Sequence, residues 1–308
     1  MISRWMSSLH LQPLYARADA STLGVARSVV FVLLFVNLML FPAGMIAGLP
    51  DSIAEPVGPL RLLSPEAWSL LVSEVTLQVL KWIGVLAVVA SVLGVRPFPL
   101  VGIPAVAVAF LLDAITKSFG GFVNHGQFAM LYMALLLVLY PCADGFSVMG
   151  NRPRREDARL YGAPLLLGAL ILALAYTFVG VTRLLHGGWE VMTGESLRVW
   201  LVMRSLDDSL ATFQHGVWLS NSPLGYRLAL VMFAVVTICE VATIPAVFHA
   251  RWRLVWMVVM VPFHFTTLFT MNIIFWENVI LMLALFTPVC AWIGNRFDAC
   301  TKQELGAP

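Results

Sequence analysis

The sequence predicts an all-α integral membrane protein, a polytopic bundle of about eight transmembrane helices with both termini cytoplasmic. Three observations carry that expectation. Of the 308 residues, 60% are hydrophobic and 12% charged, with a mean hydropathy of +0.87. Soluble domains carry about a quarter charged residues, so a water-facing fold has no means of hiding this much apolar surface. Apolar runs of about 20 residues, the length that crosses a bilayer, recur along the chain. The basic residues between those runs alternate in abundance, as the positive-inside rule requires. The spans are expected to be helical because backbone groups in lipid are satisfied within the segment.

Taken in order, the apolar runs place the spans near 23–49, 69–94, 98–116, 123–142, 160–184, 227–249, 254–275 and 277–295. The first is too long for a signal-peptide core and lacks a small-residue cleavage site, so it reads as a retained helix. The second carries Glu74 and Lys81 two turns apart on one face, expected as interior structural polar residues. The third is short and contains Pro104. Its Asp113 and Lys117 stand i, i+4 with the acid first, the favourable order for a local ion pair. Asn124-His125 opens the fourth. Arg183 and His186 close the fifth. The sixth holds Glu240, and the seventh holds His264 in V-P-F-H-F-T-T-L-F-T. Almost nothing separates the seventh from the eighth, which predicts a tight hairpin.

With the N-terminus inside, Arg4, Arg17, Arg27, Arg96, Arg152, Arg154, Arg155, Arg159, Arg251, Arg253, Arg296 and Lys302 fall on the cytoplasmic side. These are twelve of the 19 basic residues. The loop 143–159, ending N-R-P-R-R-E-D-A-R, is the strongest single vote. Asp51, Glu55, Glu66, Glu190, Glu195, Asp207 and Asp208 fall outside. One membrane domain, 1–308, is the simplest organisation, since neither a repeat nor a low-complexity tract is visible. A net charge of +2 gives no footprint for nucleic acid. The four cysteines, Cys142, Cys239, Cys290 and Cys300, show no C-x-x-C spacing and read as apolar filler. No Gly-rich phosphate loop, serine triad or His/Cys metal cluster occurs, so no metal is expected.

On this topology Asn124, His125, Arg183, His186 and His264 converge on the outer half of the membrane. Ionisable residues at that depth are costly and face a bundle interior or a wet cavity. His264 reads equally as a packed helix contact or as a proton-handling group, and His125 as a hydrated helix start or a pocket residue. Arg183 either snorkels to the headgroups or faces the pocket. After it comes a long outer segment, 185–226, holding Trp189, Trp200 and Trp218 with Gly187, Gly188, Gly194 and Gly216. It reads as an interfacial aromatic belt or as a lid, with a re-entrant or interfacial helix expected around Leu197–Arg204. Glu240 reads as a partner for a histidine or arginine in the pocket, or as a structural hydrogen bond between helices.

Three stretches then resemble the HTTM family, the membrane domain shared with vitamin K-dependent gamma-glutamyl carboxylases. F-V-N-H-G-Q-F-A-M-L-Y-M-A-L-L-L (122–137) is similar to the family's Asn-His segment at the head of a helix. F-V-G-V-T-R-L-L-H-G-G-W-E-V-M-T-G-E-S-L (178–197) resembles its aromatic, Gly, Lys-Leu, Trp, Gly-x-x-Leu motif. E-V-A-T-I-P-A-V-F-H-A-R-W-R (240–253) with P-F-H-F-T-T-L-F-T-M-N-I-I-F-W-E-N (262–278) resembles the acidic helix, basic turn and Phe-His helix that close the domain. The likeness runs over about residues 15–297. It implies a menaquinone- or vitamin K-type quinol, or a related lipid, as ligand, with His125, Arg183 and His264 in catalytic positions. Asn124, His186, Trp189 and Glu240 are then expected to bind the ligand.

Two departures bear on what carries over. The family's carboxylases use a lysine where Arg183 stands, and a guanidinium does not give up its proton. Arg183 is therefore expected to stabilise an anion and not to act as a base. The large extracytoplasmic carboxylase domain is also expected to be missing, so a protein substrate would need a separate subunit. The leading expectation is thus a quinone- or lipid-linked redox or modifying enzyme in a bacterial cytoplasmic membrane. The alternative is a non-catalytic membrane subunit of a peptide or protein maturation or export system. A transporter is weaker, for want of an inverted repeat.

Overall fold

A computed structural model describes residues 18–120, 125–152, 157–187, 190, 195–206, 213–273 and 275–304. Among them every regular element is helical. Two compact units form, one built on residues 15–168 with 287–308 and the other on residues 169–286.

The first unit begins with α1, Ala20–Leu40. Pro42 lacks an N–H and holds Phe41 extended, so the run expected to reach Leu49 stops at Leu40. A separate turn follows, α2, Ala43–Ala47. The second expected span is likewise two helices, α3 (Pro65–Leu71) and α4 (Glu74–Val92). Ser64 and Ser73 cap them, each hydroxyl accepting a first-turn backbone N–H that has no partner within the helix, from Ala67 and Thr76. Then come α5 (Phe98–Ser118), α6 (His125–Val138) and α7 (Arg159–Gly187). The division between units falls within α7, after Gly168. The unit closes with α14, Val289–Glu304. Helix α1 packs on α4, α6 and α14, and α5 packs on α4 and α6.

Arg27 sits at the centre of this unit with no solvent exposure. Its Nη1 donates to Cys142 O at 2.9 Å, and its Nη2 to Phe146 O at 2.6 Å and Val92 O at 3.1 Å. One guanidinium therefore joins α1 to the C-terminal end of α4 and to the segment after α6. Helix C-termini leave carbonyls unpaired and carry partial negative charge, which a cation answers. Gly94 stands against the guanidinium at φ +68°, where a Cβ would collide with it. Phe146 is held at φ 50°, rare for a bulky residue, with its carbonyl on Arg27 and its ring 4.7 Å from Phe297. Ser147 donates to Gly94 O at 2.8 Å, and Tyr161 to Asp144 at 3.2 Å. The start of the 143–159 loop is thus packed structure. Arg27, expected among the cytoplasmic basic residues, is an interior connector.

Two further expectations change. Glu74 is an exposed first-turn residue of α4, and Lys81 donates to Met39 O (2.9 Å) and Phe41 O (3.1 Å) at the end of α1. They form a helix start and a helix cap, not an interior pair. Asp113 and Lys117 do form the i, i+4 ion pair.

The second unit holds most of α7 and then α8 (Ser196–Ser205), α9 (His215–Asn221), α10 (Pro223–Val241), α11 (Thr243–Phe248), α12 (Ala250–Met271) and α13 (Trp276–Phe286). A helix thus lies where one was expected around Leu197–Arg204. The sixth expected span breaks after Val241, and the eighth is α13 and α14, separated at Thr287–Pro288. Asn272 ends α12 in the left-handed region at φ 51°, a conformation asparagine tolerates. Its side chain accepts from Phe213 N and donates to Phe213 O, both at 3.2 Å.

Among the described residues, α1, α4, α5, α7, α10 and α12 are long and apolar enough to cross a membrane, and the α13–α14 pair together passes as a broken span. Helix α6 is apolar but shorter. The chain is a helical, multi-pass membrane protein.

Arg27→Met strands the buried Cys142 O and the partly buried Phe146 O, an unpaired buried group costing about 1–3 kcal/mol. It is expected to lower unfolding stability in detergent by roughly 3 kcal/mol. Gly94→Ala is expected to cost about 1–3 kcal/mol through strain at positive φ. Thermal unfolding of purified variants checks both, and an unchanged midpoint for Arg27→Met would remove the connector role.

Candidate functional site

Two polar pairs, both in the second unit, are built on one face of α7. Tyr176, Gly180 and Arg183 follow one another at i, i+4 and i+7, which stacks them along that face. Gly180 permits the approach of α10: a Cβ there would lie 2.8 Å from Glu240 Cβ and from Val241 N. Small residues at crossings let membrane helices come this close.

One turn further along, Arg183 Nη1 donates to Glu240 Oε2 at 2.5 Å and to Thr237 Oγ1 at 3.0 Å. Its second nitrogen reaches Glu240 Oε1 at 3.4 Å, and the guanidinium lies 4.7 Å from the Phe233 ring centroid. Phe233, Thr237 and Glu240 are themselves a stripe on α10 at helical spacing. The side chains are 21% exposed for Arg183 and 4% for Glu240, so the carboxylate is buried and the cation partly so. A charge at this depth persists only when paired, and here both donors of the fork meet the pair or its neighbour.

The second pair joins Tyr176 to α12. Tyr176 Oη lies 2.6 Å from His264 Nε2, both side chains being buried. Trp256, wholly buried, meets the Tyr176 ring edge-on at 5.6 Å and anchors its own indole N–H on Thr243 Oγ1 at 3.0 Å. Phe275 meets the His264 ring at 5.6 Å. The two pairs thus tie α7 to α10 through Arg183 and to α12 through Tyr176.

Buried polar atoms in this unit remain unsatisfied. Among the described residues His264 Nδ1, Asn278 Oδ1 and Thr177 Oγ1 are buried and have no hydrogen-bond partner. A neutral imidazole has one N–H and one bare nitrogen. If Tyr176 donates to Nε2, Nδ1 carries the proton; if Nε2 donates, Nδ1 is the acceptor. Either way the orphaned nitrogen can exchange a proton or hydrogen-bond with a ligand, using Tyr176 as the opposite terminal of the relay.

The structure therefore pairs Arg183 with Glu240 and His264 with Tyr176, the two pairs standing two turns apart on α7. It puts His186 elsewhere in chemical terms: the ring is exposed and its Nδ1 is bonded to Thr182 O at 3.0 Å. Asn124 and Trp189 lie outside the described residues, as does the side chain of His125. Tyr176 and Asn278 are site residues that sequence reasoning missed. A tyrosine inside an apolar span was a usable signal, since its hydroxyl must find a partner there. The Glu277-Asn278 dipeptide at the head of α13 was another. Comparison of the chain with family models, with curated proteins and with solved structures finds no match.

Removing one member of the Arg183–Glu240 pair leaves a buried charge alone, at a cost of about 3–5 kcal/mol. Arg183→Leu and Glu240→Leu are each expected to destabilise on that scale, and the double variant by much less than their sum. Unfolding of the four proteins in mixed micelles measures the coupling. Additive effects would mean that the pair is not a unit.

Proposed function

We propose that this chain is an HTTM-type membrane protein that handles a quinol or a comparable uncharged, proton-bearing lipid-soluble ligand at the Tyr176–His264 pair. The observation that carries the reading is the buried His264 ring, bonded on one side to Tyr176 at 2.6 Å and unpartnered at Nδ1 among the described residues. The orphaned Nδ1 and the orphaned Asn278 Oδ1 fit a ligand with a hydroxyl or carbonyl on an apolar body. A bound quinol would supply reducing equivalents and exchangeable protons. His264 then holds or accepts a proton at Nδ1, Tyr176 fixes the ring orientation through Nε2, and Phe275 and Trp256 keep water from the pair. Arg183 takes a positioning role in this reading. Its charge is matched by Glu240, so it holds α7 against α10 and sets where Tyr176 lies.

That neutralisation also favours a second reading, a non-catalytic membrane subunit of a peptide or protein maturation system. An arginine already committed to a carboxylate is a weaker trap for a developing anion. Menaquinone content separates the two. Protein purified from native membranes is expected to carry quinone, and His264→Gln and Tyr176→Phe are expected to lose most of it while staying folded, with stability lowered by about the 1–3 kcal/mol of one lost buried hydrogen bond. A quinone-free wild type that co-purifies with a partner protein would replace the enzyme reading by the subunit reading.

The topology proposed for this protein has eight passes with both termini cytoplasmic. It counts the six long helices, α6, and α13–α14 as one broken pass. Support comes from the basic loops that remain once Arg27 is withdrawn. Reporter fusions after Gly150 and at the C-terminus are expected to score cytoplasmic and one after Gly194 extracytoplasmic. Fusions after Gly150 and Gly194 on the same side would contradict it.

A further inference from the structure

A cavity of about 190 Å³ opens in the first unit, where the C-terminal ends of α1 and α5 meet the N-terminal part of α6. None of its residues belongs to the network around His264. Most of the wall is aliphatic, with Leu34, Leu38, Leu112 and Met130 prominent. Four polar residues interrupt it: Asn37, Asp113, Thr116 and Gln127.

The hydrogen bonds at that wall run in one sense. Gln127 Nε2 donates to Asn37 Oδ1 at 3.0 Å, and Asn37 Nδ2 donates to Leu33 O at 3.0 Å. The Thr116 hydroxyl donates to Leu112 O at 2.9 Å. The Lys117 ammonium is directed at the Asp113 carboxylate and lies 4.5 Å from the Phe128 ring centroid. The Thr116 hydroxyl proton, the Asn37 amide and one Gln127 N–H are thus engaged with the protein, whereas the carboxylate, hydroxyl and Gln127 amide oxygens have lone pairs to offer. Because Lys117 cancels the charge of Asp113, neither a cation nor an anion is favoured. What suits this wall is an uncharged hydrogen-bond donor on an apolar body. Size narrows the class further, since a dry cavity of about 150 Å³ takes a benzene ring.

We propose that this cavity is a binding site for a small, uncharged ring compound bearing a hydroxyl, with a monocyclic phenol as its simplest ligand. The hydroxyl donates to the Asp113–Thr116–Gln127 oxygens, and the ring fills the space between the leucines and Met130. This site is independent of the reading given for His264.

The test is equilibrium dialysis of the purified full chain in detergent with 4-ethylphenol and with its methyl ether, which has the same ring and no donor. Saturable binding of the phenol is expected, with the ether weaker by about ten-fold, the scale of one hydrogen bond. Ala109→Phe, at a position in the cavity wall, is expected to abolish saturable binding. The Thr116→Val/Gln127→Leu double variant is expected to bring the phenol down to the level of the ether. Equal binding of phenol and ether by the wild type would overturn the proposal, as would absence of saturable binding. Undiminished binding by a folded Ala109→Phe variant would overturn it too. Should Ala109→Phe fail to fold, the wild-type comparison and the double variant still decide.

Discussion

Hydrocarbon offers no hydrogen bonds, so each polar group carried to membrane depth has to be answered by another part of the chain. Two arginines meet that constraint in different ways, and each organises one unit. Arg27 is answered by carbonyls: Cys142, Val92 and Phe146 all turn their oxygens towards it. Those three residues come from a helix end and from the segment after another helix, so α1 cannot shift without exposing them. Arg183 is answered by a carboxylate, Glu240, with Thr237 sharing the fork. The first arrangement disperses one positive charge over backbone dipoles and locks a loop. The second neutralises the charge on a neighbouring helix and sets a crossing.

The crossing matters because of what lies two turns back on α7. Gly180 brings α10 close, and Tyr176 is then held where His264 of α12 meets its hydroxyl. Buried polar networks are strong when every member is satisfied and costly when one is not. Here Arg183, Glu240 and Tyr176 are satisfied, while His264 Nδ1 and Asn278 Oδ1 are not, among the described residues. A buried atom without a partner is where a ligand gains most by binding, since its hydrogen bonds replace none that the protein already had.

Much of this was legible in the sequence, and the exceptions have physical causes. Apolar run length located the long helices, but it did not show where they end. Pro42, Ser73 and Pro288 decide that through lost N–H groups and side-chain caps, on a scale finer than hydropathy. Intramembrane charge singled out Arg183, Glu240 and His264, because facing any of them to lipid is costly. It offered Glu240 as a partner for a histidine or an arginine without choosing between them, since i, i+4 spacing reports partners within a helix and these partners lie on different helices. Arg27 was misassigned for a related reason. A basic residue near the start of a span looks the same in sequence whether it reaches headgroups or turns inward. Only the carbonyls of residues 92, 142 and 146, remote in the chain, tell the two apart. Tyr176 was read as part of an apolar run because its ring fits one; its hydroxyl is what matters.

The central claim is that His264 meets a ligand at Nδ1 while Tyr176 holds Nε2. Ring-nitrogen NMR of protein labelled with ¹⁵N only in its histidines tests it most directly. The chain has six histidines, and the His264 signals are those lost in His264→Gln. On adding menaquinol to the purified protein, the expected result is a large, saturable shift of His264 Nδ1 with a much smaller change at Nε2. An Nδ1 signal that stays in place while menaquinol is demonstrably bound would contradict the claim.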